Sequence, residues 1–168
     1  LEEEKDRHVW MSPLMMQKQI PLILETLCKQ FPESKDFLNT NAANVEKELE
    51  ELTQELEQSL ASHQGKILLS AHPAFAYFCE QFHLQQVSLE QEGKEISLSS
   101  LSSLLKTLEK TPPLLVLFQP QHDRKAVMLL CEKLEETAVE FDPYSSDYLG
   151  NMRYLATLIN KQEAKRCI

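Results

Sequence analysis

Glycine is scarce in this chain: three residues in 168, Gly65, Gly93 and Gly150, all far apart. A Gly-x-Gly-x-x-Gly turn or a phosphate-cradling P-loop needs closely spaced glycines, so nucleotide binding through either device is excluded. No two of the four cysteines (Cys28, Cys79, Cys131, Cys167) form a Cys-x-x-Cys pair, which removes a thiolate zinc cluster and a thioredoxin-like centre. The first three read instead as small apolar residues on buried helix faces. No apolar run approaches the roughly 20 residues of a membrane-spanning helix. The N-terminus, Leu1-Glu2-Glu3-Glu4-Lys5, lacks the basic start and apolar core of a secretion signal. Positive charge is also short. Seventeen basic against 26 acidic residues give a net charge of −9, which would repel a phosphate backbone and argues against nucleic acid as a partner.

What is present has the balance of a folded protein, with 42% apolar and 26% charged residues. The length suits one domain with a real core, or one domain and part of a second. Ser12-Pro13 is a helix start, Ser as cap and Pro at the first helical position. Met16, Ile20, Ile23, Leu24 and Leu27 follow at helical spacing, with Pro21 expected to kink the helix. Phe31-Pro32 breaks the chain. From Pro32 to Ser62 there is no glycine and no further proline, and Leu38, Ala42, Val45, Leu49, Leu52 and Leu56 alternate steps of four and three. This predicts one long helix with a narrow apolar stripe, a strut about 45 Å long at 1.5 Å per residue. The Glu46 to Glu57 charge run reads as its solvated face.

After Gly65 the pattern changes to short apolar runs alternating with amphipathic segments. Strands are expected at Ile67–Ser70, Leu84–Leu89, Leu114–Phe118 and Ala138–Phe141. Helices are expected at Pro73–Phe82, Leu98–Glu109, Asp123–Glu136 and Asp147–Asn160, with the serines of Ser97–Ser103 supplying a cap. Four βα units predict an α/β fold: a four-stranded parallel sheet with helices on both faces.

Ligands of such sheets sit at the carboxyl ends of the strands. There the chain reads Ser70-Ala71-His72-Pro73, Phe118-Gln119-Pro120 and Phe141-Asp142-Pro143, each proline stiffening the turn beside a polar side chain. His72 and Asp142 are thus placed at one crevice, and imidazole with carboxylate is a ligand set for zinc, manganese or iron. His8, in Asp6-Arg7-His8-Val9-Trp10, is a third candidate ahead of the first helix. Three other histidines read as solvated: His63 at the end of the strut, His83 ending a helix and His122 beginning one. Trp10, Phe75, Tyr77 and Phe78 read as packing around the crevice.

The motifs Asp6-Arg7-His8-Val9-Trp10-Met11-Ser12-Pro13, Ser70-Ala71-His72-Pro73-Ala74-Phe75, Gln119-Pro120-Gln121 and Asp142-Pro143, in this order and spacing, resemble the substrate-binding proteins of bacterial zinc, manganese and iron ABC transporters. The resemblance covers the last two-thirds of that family. It implies residues 1–31 as a remnant of an N-terminal lobe, 32–64 as an inter-lobe helix and 65–168 as a C-terminal α/β lobe. It further implies His8, His72 and Asp142 as three of four metal ligands, the fourth lying in the absent part of the N-terminal lobe. Without that lobe the segment around His8 is expected to have little to pack against. Gln119 would orient a ligand from outside the coordination shell. Arg7 and Gln119 depart from the family's usual Pro and Glu. The expected cargo is a divalent transition metal, zinc favoured over manganese or iron because the strand-end ligand is His72. The expected partner is an ABC-transporter membrane permease, and the expected location is periplasmic or anchored at the cell surface, with any signal upstream of residue 1. Two other readings compete. One is a metal-dependent hydrolase using the same three ligands, with Glu90, Glu92 and Glu95 as the nearest general-base candidates; the other is a helical interaction or adhesion module built on the strut.

Overall fold

The computed structural model describes residues 6–91 and 94–166. Glu92, one of the general-base candidates, and Cys167 lie outside the described residues.

Two long helices come first. Helix α1 (Pro13–Gln30) opens as its sequence dictates, with the Ser12 hydroxyl accepting from the Met15 N–H at 3.1 Å, and it runs through Pro21 as a single element. Phe31 and a short 3-10 turn reverse the chain into α2 (Lys35–Leu60), whose 26 residues make a rod about 39 Å long. The two helices pack against each other along their length. The apolar stripe of α2 is buried only in its second half, at Leu49, Leu52, Leu56 and Leu60; Val45, in the first half, is exposed.

Gly65 reverses the chain after α2 with a φ of +76°, a conformation glycine adopts without strain, and its N–H bonds the His83 carbonyl at 2.7 Å. The α/β half then runs β1 (Ile67–Ser70), α3 (Ala76–Gln81), β2 (Gln85–Ser88), a two-stranded hairpin β3 (Glu90–Gln91) and β4 (Lys94–Glu95), α4 (Leu98–Lys110), β5 (Leu115–Phe118), α5 (Lys125–Leu134), β6 (Ala138–Glu140) and α6 (Tyr148–Arg166). Strands β2-β1-β5-β6 form one sheet in that order, every pair parallel, as the βα alternation predicts. The antiparallel β3–β4 hairpin has no sequence forerunner, because two-residue strands carry no periodicity. Helix α3 starts at Ala76 and not at Pro73: residues 71–75 form a turn in which the Ala74 N–H bonds the His72 carbonyl.

Side chains of the sheet alternate between two apolar clusters. Leu68 and Leu117 join Phe75, Phe78 and Cys79 beside α3, Met152, Leu155 and Ile159 of α6, and Leu52, Leu56 and Leu60 of α2. Ile67, Leu69, Val116 and Phe118 join Leu101 and Leu108 of α4 and Val127, Leu130 and Cys131 of α5. Helices therefore cover both faces. Each fully buried Leu or Phe contributes roughly 1.5–3 kcal/mol of transfer free energy. Helix α2 is welded to α6 at the edge of the first cluster, where the Arg153 guanidinium also grips both Glu55 oxygens at 2.6 and 3.2 Å.

His63 departs from its sequence reading. It is 3% exposed, and its Nε2 lies 2.7 Å from the Asn160 Oδ1 on α6. The 3-10 turn that closes α2 rotates its ring inward, towards α6. Cys79 and Cys131 are buried as expected, whereas Cys28 is half-buried. Burial pushes the Cys79 thiol up to about 12.

Candidate metal centre

The strand order has a switch point between β1 and β5, because the chain moves from β1 to one neighbour and returns to the other side of β1. Crevices open at such points beyond the strand ends. His72 follows β1 there, and Gln119 follows β5. The Gln119 side chain, 1% exposed, holds the His72 peptide at both ends: its Oε1 accepts from the His72 N–H at 3.3 Å and its Nε2 donates to the His72 carbonyl at 3.0 Å. A carboxylate could not donate the second bond. The glutamine thus satisfies a turn that no strand pairing reaches, and it orients His72 through its backbone.

Glu90 arrives from the next strand end. The Leu89 N–H bonds the Ser70 carbonyl at 3.1 Å, and the β3–β4 hairpin then fixes the residue that follows. This sets Glu90 Oε2 2.8 Å from His72 Nδ1. His122 comes from the turn after β5, where its N–H bonds the Gln119 carbonyl at 3.1 Å. Its ring stacks on that of His72 with centroids 3.8 Å apart and planes 17° apart, and its Nδ1 is 3.6 Å from the same Glu90 oxygen. Desolvation, followed by the neighbouring His72, holds the His122 imidazole below its usual 6.5, with Glu90 opposing.

His8 lies on the other side of His72. The two rings meet edge to face with centroids 5.1 Å apart. Asp6 Oδ1 binds His8 Nδ1 at 2.6 Å, and Asp6 Oδ2 is buried without a hydrogen-bond partner. The segment carrying His8 is well anchored, contrary to expectation. Trp10 Nε1 donates to the Pro143 carbonyl at 3.0 Å, the Tyr77 hydroxyl donates to the Asp6 carbonyl at 3.2 Å, and Met11 is buried in the first core cluster. The apolar Trp10-Met11 pair docks on the α/β half itself, so the segment needs no other lobe to hold it in place. Trp10 thereby packs at the crevice as its sequence reading expects, with His8 on one edge and Tyr144 on the other.

Asp142 sits on the same rim, exposed, with its Oδ1 accepting from Gln121 Nε2 at 2.8 Å and from the Tyr144 N–H at 2.9 Å. Of the three ligand candidates, the fold sets His8 against His72, while Asp142 is occupied by its own turn. Among the described residues, the side chains that offer one ligand atom each within 4.8 Å are His72, Glu90 and His122; His8 and Asp142 lie outside that set. The sequence reading assigned His122 to solvent and weighed Glu90 only as a base. Stacking on His72 explains why His122 is half-buried, and no spacing in the sequence encodes a contact between residues 50 apart.

The arrangement can hold a borderline divalent ion: imidazoles and carboxylates converge on one rim, with a buried glutamine stiffening the peptide of His72.

The chain is similar to known proteins in sequence and in fold. A "Putative metal-binding protein" of Chlamydia trachomatis is 27% identical over 153 residues, 90% of this chain and 55% of that protein. The "High-affinity zinc uptake system protein ZnuA" of Bacillus subtilis is 28% identical over 106 residues, 60% of this chain and 33% of that protein. A crystal structure of ZnuA superposes with a TM-score of 0.89 at 29% identity, covering 94% of this chain and 60% of that one. The chain spans about half the length of the Chlamydia relative it matches. Residues 1–162 match the family described as "ZnuA: Zinc-uptake complex component A periplasmic", and the chain belongs to that family.

Proposed function

We propose that this chain is the metal-holding part of a solute-binding protein that captures a divalent transition-metal ion, zinc ahead of manganese or iron, and delivers it to an ABC-transporter permease from the periplasm or the cell surface. It is a carrier and not an enzyme. In this reading His8 and His72 ligate the ion through Nε2, Asp142 closes the set from the opposite turn, and a further ligand comes from an N-terminal lobe. Residues 1–31 belong to that lobe, 32–64 connect the lobes and 65–168 form the C-terminal lobe. Gln119 and Glu90 orient His72 without reacting.

The observation that carries the reading is the pairing of His8 with His72. Two imidazoles meet at the rim with each Nδ1 bonded to a carboxylate, Asp6 at 2.6 Å and Glu90 at 2.8 Å. A carboxylate on Nδ1 fixes the tautomer and leaves Nε2 unprotonated, the form that ligates a metal. Zinc is supported by what the Bacillus relative is named for, and imidazole ligands suit zinc better than the harder manganese.

The test is competition of the chain against a chelator of known affinity, with zinc and manganese in turn. His72→Ala should weaken zinc binding at least tenfold with the circular dichroism spectrum unchanged, and Gln119→Ala should weaken it about ten- to a hundredfold. Binding should fade at acidic pH, since protonated imidazole cannot ligate. Wild-type affinity in His72→Ala would end this reading.

A further inference from the structure

Among the described residues, the three ligand-type side chains that cluster within 4.8 Å of one another are not the three that the family motifs single out. His72 Nδ1 and His122 Nδ1 approach one carboxylate oxygen, Glu90 Oε2, at 2.8 and 3.6 Å. In a tetrahedral zinc site with bonds of about 2.1 Å, neighbouring ligand atoms stand about 3.4 Å apart. Both separations fall within about 0.6 Å of that value; because the His72 and His122 rings stack with planes 17° apart, the His122 side chain must turn out of the stack for both in-plane nitrogen lone pairs to meet one ion. The side chains are 18%, 22% and 31% exposed for His72, Glu90 and His122, which leaves the site reachable from solvent.

The backbone under each ligand is fixed independently. His72 is clasped by the buried Gln119, Glu90 is seated by the hairpin and the Leu89–Ser70 bond, and His122 is held by the turn bond to Gln119. His72 and His122 come from turns that follow β1 and β5, Glu90 comes from the β3–β4 hairpin that follows β2, and none comes from the helical part of the chain.

We propose that His72, Glu90 and His122 form a second coordination set for a divalent transition-metal ion, contained wholly in the α/β half and independent of His8 and Asp142. The proposal rests on the metal-carrier reading only in sharing His72. The ion takes the place of the proton shared by His72 Nδ1 and Glu90 Oε2, released to solvent on binding, and water fills the open fourth position. Two imidazoles and one carboxylate favour zinc among the available divalent ions, as in other mixed nitrogen and oxygen sites. Such a set gives the ion a resting place next to the His8–His72 pair, which an ion entering or leaving the crevice would occupy.

The experiment is a zinc titration of the full chain against a competing chelator, repeated with cobalt(II) so that visible absorption reports coordination geometry. The double variant His8→Ala/Asp142→Ala is compared with the same variant carrying His122→Ala or Glu90→Gln. The double variant should still bind one zinc and give a cobalt spectrum of its own. Adding His122→Ala should weaken that binding at least tenfold and alter the spectrum, which a mere positioning role for His122 would not do. If His122→Ala leaves the affinity of the double variant within twofold, the second set does not exist. If His8→Ala/Asp142→Ala binds as tightly as wild type, the His8–His72–Asp142 reading fails and the second set is the site. If the double variant binds no zinc, the second set is overturned and the first reading stands.

Discussion

The helical pair α1–α2 and the α/β half are built from similar apolar residues, yet they use them differently. The α/β half sinks its sheet side chains into two clusters that leave Leu68, Leu69, Phe75, Phe78 and Leu117 without solvent exposure. The helical pair leaves Leu22 and Phe37 66% exposed, with Ile23, Phe31 and Val45 also in solvent, and meets the α/β half only near one end, where the second half of α2 packs on α6 and the start of α1 bonds Gln81 of α3. An amphipathic stripe is stable wherever a partner covers it; the far end of α1–α2 has only the other helix. Rigidity therefore concentrates at the sheet, and the candidate ligand side chains sit on its rim.

The sharpest test of this contrast is a pair of matched truncations. Phe75→Ala, in the first cluster, should lower stability by about 3–5 kcal/mol in urea titration, whereas Leu22→Ala should change it by less than about 0.5 kcal/mol. Comparable losses would mean that the exposed end of the helical pair contributes to the fold as much as the core does. A smaller effect is expected at the junction of the two regions. His63→Ala removes a buried ring and leaves Asn160 Oδ1 without its partner, and should cost about 1–3 kcal/mol while zinc affinity is unchanged. An unchanged urea midpoint would show that α2 and α6 are joined by their apolar contacts alone.

The smallest effect lies at the rim and is read as a pH dependence. His122 titrates below its usual 6.5 in the fold, so the unfolded chain binds that proton more tightly. Its contribution to stability is complete above about 6.5 and declines as pH falls below that value. The urea midpoint of the metal-free chain should therefore drop between pH 7.5 and 5.5, and His122→Gln should flatten part of that drop. An identical slope in the variant would remove desolvation of His122 as a cause.

Much of this molecule was legible in local pattern. The caps at Ser12 and Ser97, the alternation of short apolar runs with helices, the parallel sheet and the placing of His72 at a strand end all follow from spacing and turn chemistry. His8 and Asp142 were marked by motif, and both stand on the rim, although the metal role of each is still a proposal. The burial of His63 was not legible, because its environment is made by Asn160, 97 positions away.

The sequence by itself determined the four parallel strands and the long helices, though not the β3–β4 hairpin or the start of α3, since a period of 3.6 or 2 and a proline or capping serine act within a few residues. It also determined that His72 would stand where strand β1 ends. Only the tertiary structure decided what His72 meets there. The switch point between β1 and β5 brings Gln119 under its backbone, the β3–β4 hairpin brings Glu90 to its Nδ1, and the turn after β5 lays His122 on its ring. Each of those contacts joins residues 18 to 50 positions apart, and their geometry is set by how the strands order and pack, which no local periodicity records.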